Sequence, residues 1–445
     1  MDKFITIIKN NKLLVFILLS SFILSLVYSF HFKINPEVDA GAYDEIGWNI
    51  AQGIGYRSSP EIEASLDQSI MRVGPLYEFF LAIIYYIFGH SYKAVWIMQA
   101  LLHTISALLI YLTCLIIFKE PENKKTIALM ASAIFAFYPD LVEISAMLLT
   151  ETLYLFLFCL AIYFFFKYFH IINTWTAIMI GIIFGLATLA RPPVLFLIPV
   201  IIFYYYKKSK IIPAALFIIT LLLVFTPWAV RNYIIYDKFM PFGASGAYNL
   251  WIGNYHGGNG EQEPTREMVD YANKYGMAEI PAESMRQFKK FIITYPEEFI
   301  KLTILRINKY FSIIRPMGFW FYQTGWSQFI FILSSGLASV VLFVFGLAGL
   351  IQAIKIKNKQ LTYLIWLTTI TPLILFVTVI ETRYRFQIYP MLAIFAGYFI
   401  MEMHIQKKIF KNKILWLAFV IIFINGFIDL ILSFDRLQER LDLFF

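Results

Sequence analysis

The 445-residue sequence is poor in charged residues and in cysteine. Only 15% of its residues are charged and 60% are hydrophobic, so a soluble domain of this size could not bury its apolar surface. The two cysteines, Cys114 and Cys159, lie in separate apolar runs, and the chain has no CxxC motif or Cys/His cluster. This pattern argues against a disulfide and a structural zinc site, and the composition predicts an all-α polytopic membrane protein.

Several functional motifs are also absent from the chain. It has no P-loop and no Rossmann glycine fingerprint, which disfavours a nucleotide-dependent domain of either kind. The six histidines show no ligand spacing. We therefore expect no cofactor to be required; carboxylates could hold a divalent cation, but their spacing does not indicate one. The net charge of +8 does not predict a nucleic-acid partner, because much of the lysine lies in short clusters beside apolar runs.

Long apolar runs alternate with short polar connections throughout the chain. A transmembrane helix needs roughly 20 apolar residues, fewer where neighbours bury it. On this basis the sequence predicts eleven spans, at 13–32, 94–118, 126–144, 152–169, 174–190, 193–206, 211–230, 327–353, 361–380, 386–403 and 413–432. The fifth and sixth are separated by Arg191, Pro192 and Pro193, which predict a turn at the membrane surface.

Lysine and arginine are sorted to opposite ends of these predicted spans. Alternate connections contain 17 lysines and no arginine, whereas all twelve arginines fall on the other side. By the positive-inside rule the lysine side is cytoplasmic, so we expect a multi-pass protein of the inner (cytoplasmic) membrane with its N-terminus inside, retained as a signal anchor. The lysines are Lys3, Lys9, Lys12, Lys119, Lys124, Lys125, Lys167, Lys207, Lys208, Lys210, Lys355, Lys357, Lys359, Lys407, Lys408, Lys411 and Lys413.

Two long loops, 33–93 and 231–326, then lie on the extracytoplasmic side. Residues 75–89 are apolar but too short to span the bilayer, which predicts a helix along the outer interface. The second loop contains a Gly/Asn-rich stretch at 247–260 and amphipathic patterns near 264–276, 281–294 and 296–314. We expect three parts: a transmembrane catalytic module at 1–230, a small helical loop domain at 231–326 and C-terminal transmembrane helices at 327–445.

The first outer loop offers a carboxylate directly after the first span. Asp39 and Tyr43 are four residues apart and would share a helix face, whereas Asp44 would point elsewhere. A carboxylate at this position could act as general base toward an acceptor hydroxyl. Asp39 could equally cap the helix, and the spacing alone leaves both interpretations open. It also leaves open whether Asp39 or Asp44 would be the base.

Arginines at the outer ends of several spans could bind phosphate. Arg72 precedes the interfacial helix, Arg191 ends a span, and Glu381, Arg383 and Arg385 lie at the mouth of the tenth span. The planar guanidinium group binds phosphate oxygens well, so converging arginines could hold a phosphate or pyrophosphate. Snorkelling toward lipid headgroups is the alternative. Three charges within five residues at the end of a span favour a function.

Other outer charges are less specific. Asp140, Glu143 and Glu151 could face one outer cavity and bind sugar hydroxyls or orient an acceptor. A carboxylate at a helix N-terminus is also stabilised without any function, which applies to Glu151. For Arg231 beside Trp228, contact with lipid headgroups is the favoured interpretation.

Short motifs that follow one another along nearly the whole chain resemble the polytopic GT-C glycosyltransferases, specifically the bacterial family-39 group. That group is related to protein O-mannosyltransferases and to the aminoarabinose and galacturonic acid transferases of lipid A. The matching positions are Asp39, Tyr43, Asp44, Gly53, Gly55, Tyr56, Arg72, Pro75, Pro139, Thr150, Glu151, Ala190, Arg191, Pro192, Pro227, Trp228, Arg231, Asn232, Asn249, Gly253, Asn254, Tyr295, Pro296, Phe299, Glu381, Arg383, Tyr384 and Arg385.

The resemblance implies transfer of a sugar, with inversion, from a polyprenyl-phosphate donor to a lipid, glycan or protein hydroxyl on the extracytoplasmic side. It assigns Asp39 as the catalytic residue. It assigns three arginines to the donor phosphate: Arg72, Arg383 and Arg385. It assigns six residues to substrate binding: Tyr43, Asp44, Glu151, Arg191, Glu381 and Asn254. Trp48 departs from the family pattern, as does the Asp39-Ala40-Gly41 sequence, which differs from the Asp-Glu pair of the mannosyltransferases.

Two other functions remain open at this point. A flippase or transporter of lipid-linked saccharides usually has ionisable groups near the bilayer centre and often inverted repeats, neither of which is evident here. An O-antigen polymerase or ligase shares the long outer loop and the arginines, but fits the Asp39 motif less well.

Overall fold

The computed structural model describes residues 11–120, 123–315, 323, 325–406 and 411–434, and the statements below refer to these residues. Lys3, Lys9, Lys407 and Lys408, four of the lysines used to orient the chain, lie outside them.

The described part of the chain up to residue 236 forms helices that follow the apolar runs. They are α1 (Lys12–Phe32), α2 (Asp39–Ala51), α3 (Leu76–Phe88), α4 (Tyr92–Ile117), α5 (Lys124–Ala136), α6 (Pro139–Ala146), α7 (Thr150–Lys167), α8 (Thr174–Ala190), α9 (Ile198–Lys207) and α10 (Ile211–Tyr236). Short 3₁₀ turns occupy Gln68–Met71 and Pro192–Leu197.

The second part of the chain begins with short helices and ends with long ones. They are α11 (Ser245–Ile252), α12 (Arg266–Tyr275), α13 (Ile280–Thr294), α14 (Pro296–Tyr310), α15 (Gly325–Ile354), α16 (Lys359–Ile370), α17 (Leu373–Val377), α18 (Tyr389–Gln406) and α19 (Lys413–Leu432). A 3₁₀ turn at Thr382–Ile388 leads into α18. The three amphipathic helices expected after residue 264 are confirmed as α12 to α14, and α11 adds a helix within the Gly/Asn-rich stretch.

Asparagine side chains cap the N-termini of four apolar helices. Asn11, Asn173, Asn358 and Asn412 each accept a hydrogen bond from a backbone N–H in the first turn of the helix that follows. Such caps satisfy donors that would otherwise lack a partner. Three of these helices begin on a lysine, Lys12, Lys359 and Lys413, so each cap lies at a lysine-bearing end.

The chain is a multi-pass membrane protein, although the predicted number of spans is not confirmed. Within the described residues, eight helices are long and apolar enough to cross a membrane, and the pair α5 and α6, bent by 52°, would be a ninth. Helix α8 and the segment Pro192–Lys207 are apolar but shorter. All eleven predicted segments are therefore helical, but length and composition do not establish eleven crossings. The turn at Arg191 is present between the two shorter helices.

Helices α7 and α18 are largely buried among their neighbours, whereas few residues of α1, α10 and α19 are buried. This arrangement gives a packed centre and a periphery suited to lipid. Helix α3 packs against α2 and exposes Ile83, Tyr86 and Ile87 on its other face. Its position along the outer interface remains a prediction, as does the division of the chain into three parts.

Candidate active site

Six charged side chains from five separate regions of the chain meet at one end of the helices, and we call them the charge cluster. They are Asp39, Arg72, Glu151, Arg191, Glu381 and Arg383. Three are acidic and three are basic, so the cluster is formally neutral. All six were predicted from the sequence as site residues, and the structure brings them together.

Asp39 begins α2 and follows a strained residue. Val38 has φ +52° and ψ −114°, a conformation that suits glycine and is costly for a β-branched side chain. Val38 is the N-cap and makes no side-chain cap hydrogen bond, and the Asp39 carboxylate bonds to arginines instead. The interpretation of Asp39 as a simple helix cap is therefore wrong.

Asp39 is held by two arginines that come from distant parts of the chain. Arg72 Nη1 donates to Oδ1 at 3.2 Å, and Arg383 Nη2 donates to Oδ2 at 2.6 Å. Burial alone would raise the pKa of Asp39, but the charges of Arg383, Arg72 and Arg191 outweigh it and lower the pKa below the ordinary value. The carboxylate is thus ionised at neutral pH. Its side chain is 30% exposed, so a second molecule can reach it.

Glu151 lies in the first turn of α7 and is buried. It accepts a hydrogen bond from Arg191 Nη1 through Oε1 and one from Thr150 Oγ1 through Oε2 at 3.2 Å. Arg383 Nε lies 3.7 Å from Glu151 Oε1 and donates to Glu381 Oε2 at 2.8 Å. Arg383 therefore contacts three carboxylates at once, which fits the forked guanidinium group and would not fit an ammonium.

A close backbone approach joins two sides of the cluster. A Cβ atom on Gly74 would lie 2.2 Å from the carbonyl oxygen of Leu189, at the end of α8. Only glycine allows this contact, which places the loop carrying Arg72 against the helix end that carries Arg191. Tyr43 also lies beside Arg72, with the guanidinium carbon 5.9 Å from the centre of its ring.

The loop that contains Gly260 and Gln262 reaches the charge cluster through Tyr384. Its ring lies under the Arg191 guanidinium, 5.0 Å from the ring centre, and its hydroxyl donates to Gln262 Oε1 at 3.0 Å. Ile380 N–H also donates to the Gly260 carbonyl oxygen at 3.1 Å. The Gly/Asn-rich loop thus packs directly beside the segment that carries Glu381 and Arg383.

Asp44 does not join the charge cluster. Its carboxylate accepts hydrogen bonds from the hydroxyls of Tyr85 at 2.5 Å and Tyr92 at 2.7 Å, and lies 2.8 Å from His90 Nε2. Asp44 is buried and these contacts occupy both of its oxygens. The sequence expectation that it points away from Asp39 is confirmed, and this geometry favours Asp39 over Asp44 as the base.

Arg385 was expected to converge with Arg383 on a phosphate, and the structure places it elsewhere. It is buried and donates to the backbone carbonyl oxygens of Ser312, at 2.6 Å, and Arg315. In the 3₁₀ turn Thr382–Ile388, side chains two residues apart point to different sides, and only Arg383 points toward Asp39. Arg385 therefore holds the chain after α14.

Asn254 and two of the carboxylates also lie away from the charge cluster. Asn254 accepts hydrogen bonds from Arg306 and donates to the carbonyl oxygen of Val377 at 2.8 Å, so it joins the outer loop to the end of α17. Asp140 accepts from the Ser335 hydroxyl, and Glu143 accepts from the Tyr28 hydroxyl at 3.2 Å. These carboxylates bond to α15 and α1, and the expectation that they share a cavity with Glu151 is not supported.

Glu78, a carboxylate in the first turn of α3, was not predicted as a site residue. It is fully buried, and the Tyr56 hydroxyl donates to its Oε1 at 2.8 Å. Burial raises the pKa of Glu78 to about 7. A single acidic residue in an otherwise apolar helix is costly, and this signal could have identified it.

An apolar groove of about 400 Å³ adjoins the charge cluster. Its lining includes Pro75, three residues after Arg72, and Leu189, two residues before Arg191. Arg231 lies at its edge, with its guanidinium carbon 4.9 Å from the centre of the Trp228 ring and 5.3 Å from that of Tyr56. The groove is also lined by Ile50, Gly55, Leu76, Phe79, Val224 and Pro227. Charged and apolar binding surfaces therefore lie side by side.

No group of three or more His, Cys, Asp or Glu side chains with the geometry to hold a metal ion occurs among the described residues.

Comparison with known proteins identifies the architecture. Residues 72–230 match the family model of the dolichyl-phosphate-mannose-protein mannosyltransferases. The apo structure of the oligosaccharyltransferase of Archaeoglobus fulgidus superposes with a TM-score of 0.53 at 14% identity, covering 91% of this chain and 54% of that chain. The chain has the GT-C glycosyltransferase fold. The resemblance seen in the sequence is thus confirmed, and the matched segment contains Arg72, Glu151 and Arg191 of the charge cluster.

Two further structures of this GT-C enzyme are similar to the chain. One, tethered to an acceptor peptide with the NVT sequon, gives a TM-score of 0.51 at 13% identity and covers 92% of this chain and 53% of that chain. The other, archaeal oligosaccharyltransferase AglB in complex with an inhibitory peptide and a dolichol-phosphate, gives 0.51 at 14% identity, with 93% and 54% covered. The chain therefore spans about half the length of these enzymes. No curated protein matches it in sequence.

Proposed function

We propose that this chain is an inverting glycosyltransferase that moves a sugar from a polyprenyl-phosphate donor to an acceptor hydroxyl on the extracytoplasmic side of the membrane. The observation that carries the proposal is the contact of Arg383 with Asp39 beside an apolar groove. The GT-C fold and the mannosyltransferase family match support the same reaction class.

The two halves of such a donor fit two adjoining surfaces. The isoprenoid chain needs an apolar path, and the groove lined by residues of α3 and α10 is a candidate for it. The phosphate needs cations beside that path, and Arg72 lies three residues before Pro75, which lines the groove. Arg72 and Arg383 are the arginines that we assign to the phosphate, because both already face Asp39.

The proposed chemistry is a single displacement at the anomeric carbon. The acceptor oxygen attacks this carbon, and the bond from the carbon to the phosphate oxygen breaks. Polyprenyl phosphate leaves with the electron pair, and the acceptor proton passes to Asp39. Arg72 and Arg383 stabilise the charge that develops on the phosphate. One such contact is commonly worth roughly 3–4 kcal/mol of the barrier.

The charge cluster also couples donor binding to the strength of the base. In the free site Arg383 and Arg72 are among the charges that lower the pKa of Asp39, which makes it a weak base. A donor phosphate competes for the same guanidinium groups, so the carboxylate loses part of its countercharge. The pKa of Asp39 then rises when the donor is bound, and the base becomes stronger when it is needed.

The proposal is tested with the full chain in proteoliposomes that contain polyprenyl-phosphate sugars. We expect cleavage of the donor, measured as released polyprenyl phosphate, and transfer of the sugar to envelope extract, measured by mass spectrometry. Asp39→Asn should abolish both, and the exposed control Asp270→Asn should retain them. Movement of the intact lipid-linked sugar across the bilayer without cleavage would show that the protein is a transporter and not a transferase. Full activity of Asp39→Asn would exclude Asp39 as the general base.

A further inference from the structure

The C-terminal half of α14 has a reversed distribution of polar and apolar residues. After Lys301, the exposed side chains of this helix are Ile304, at 62% exposure, and Ile307, at 38%, whereas Arg306, Asn308 and Lys309 are buried. A helix on the surface of a water-soluble domain shows the opposite arrangement. Apolar residues outside and polar residues inside are typical of a helix surrounded by lipid.

The two buried cationic side chains of this segment, Arg306 and Lys309, have partners within the protein. Arg306 Nη1 donates to the Thr378 carbonyl oxygen at 2.8 Å, and its Nη2 donates to Asn254 Oδ1 at 2.7 Å. Lys309 Nζ lies 2.6 Å from Glu261 Oε1. Because these groups are satisfied inward, nothing on the outer face of the segment requires water.

The contact between α14 and the last helix, α19, indicates how deep the C-terminal end of α14 lies relative to the end of α19. Asn308 Nδ2 donates to the Asn425 carbonyl oxygen at 2.8 Å, and Asn425 Nδ2 donates to the Asn308 carbonyl oxygen at 2.9 Å. Asn425 lies seven residues before Leu432, the last residue of α19, which is roughly 10 Å along the helix axis. The C-terminal end of α14 therefore lies well below the end of a membrane-spanning helix.

Exposed apolar residues of α19 continue past this depth. Phe427, Ile428 and Ile431, all beyond Asn425, are exposed apolar side chains. If hydrocarbon covers these residues, it also reaches the level of Asn308. The exposed isoleucines of α14 then extend the same apolar surface onto a neighbouring helix.

We propose that the C-terminal half of α14 is embedded in the outer leaflet, with Ile304 and Ile307 in contact with lipid acyl chains. Lys301 lies at the level of the headgroups, and the first turn, with Glu297, lies in water. The segment 231–326 is then not wholly extracytoplasmic, because α14 descends into the bilayer. This inference does not depend on the proposed reaction.

The experiment measures the environment of single nitroxide labels on the full chain in proteoliposomes. Ile304→Cys and Ile307→Cys are the test positions, and Glu297→Cys is the matched control on the same helix. Oxygen concentrates in lipid, and a water-soluble nickel chelate does not enter it. We expect a several-fold higher ratio of oxygen to nickel collisions at the test positions than at Glu297→Cys. Cys114 and Cys159 are buried, and wild type gives the background.

Two results would overturn the proposal. Nickel access at Ile304→Cys equal to that at Glu297→Cys would place this face in a water-filled cavity. Low access to both reagents would show that a second copy of the chain or another protein covers it. Carbene labelling of the wild-type chain avoids any folding defect of the variants. A lipid-soluble diazirine should label residues 302–310 and a water-soluble one should not; the reverse pattern would contradict the inference.

Discussion

Arg383 Nη2 donates to Asp39 Oδ2 at 2.6 Å across 344 residues of sequence. The contact joins the helix that follows the first span to the turn that precedes α18, and so closes the charge cluster. Because Arg383 also contacts Glu151 and Glu381, one guanidinium group lies against all three carboxylates of the charge cluster.

Arg383→Lys should reduce turnover strongly while the protein remains folded. Lysine keeps the positive charge but cannot donate to Asp39, Glu381 and Glu151 in a fixed fork. We expect kcat to fall by about 10²–10³, the usual effect of losing one charge-stabilising donor. The control is Arg266→Lys, at an exposed position, with kcat and KM measured for the donor. Equal kcat in the two variants would exclude this role for Arg383.

Gly74→Ala should separate the loop of Arg72 from the end of α8. The new methyl group would lie 2.2 Å from the Leu189 carbonyl oxygen, and backbone cannot move aside as a flexible side chain can. We expect a loss of about 1–3 kcal/mol in the free energy of unfolding, together with reduced activity. Gly246→Ala is the control, because nothing lies within 4 Å of its added Cβ. Thermal unfolding in detergent compares the two, and equal stability would contradict the close approach.

Glu78 should make the protein less stable as the pH rises. Its pKa is about 7 in the folded protein and near 4.5 when unfolded, so the folded state binds the extra proton between these values. The contribution of Glu78 to the free energy of unfolding is therefore largest below pH 4.5. It decreases by about 3 kcal/mol as the pH rises from there through 7. The groups facing Glu78 are the hydroxyls of Tyr56, Tyr43 and Tyr77 and the charge of Arg72.

Glu78→Gln removes this titration. We expect the difference in melting temperature between pH 5 and pH 8 to shrink in this variant and to persist in the exposed control Glu61→Gln. An unchanged difference would mean that Glu78 does not titrate in this range.

Asp429→Asn should loosen the outer loop as well as the last helix. Arg315 Nε and Nη2 bond the two oxygens of Asp429 at 2.6 and 2.9 Å, and Arg315 Nη1 donates to Glu261 Oε1 at 3.0 Å. Breaking a buried pair typically costs about 3–5 kcal/mol, because a charge remains without its partner. Faster proteolysis near residue 261 should accompany a lower melting temperature.

Asp429→Glu is the conservative comparison and should recover part of the stability. The double variant with Glu261→Gln should lose less than the sum of the single losses, because both carboxylates share Arg315. Fully additive losses would contradict a connected network.

Val38→Gly should stabilise the protein by about 1 kcal/mol, because the residue already has a conformation that suits glycine. If the rigid valine holds Asp39 in place, activity should fall although stability rises. The melting temperature and kcat of the same preparation test both parts. A lower melting temperature would show that Val38 is not strained.

The directions of side chains on one α-helix were predicted correctly, whereas those of Arg383 and Arg385 in one short 3₁₀ turn were not. Helical spacing places Asp39 and Tyr43 on one face and sends Asp44 to another, as the structure confirms. The same sequence proximity made Arg383 and Arg385 look equivalent. A 3₁₀ turn separates them, so that one contacts Asp39 and the other holds the backbone after α14.

The sequence by itself determined that this chain lies in a membrane and that its apolar runs are helices. These properties depend on composition and local periodicity, which a single segment carries. Only the tertiary structure decided which charges meet, that Glu78 is buried, and that Asn254 is a structural contact. Such pairings depend on how helices distant in sequence pack together. The sequence around one side chain therefore does not predict which distant residue it contacts.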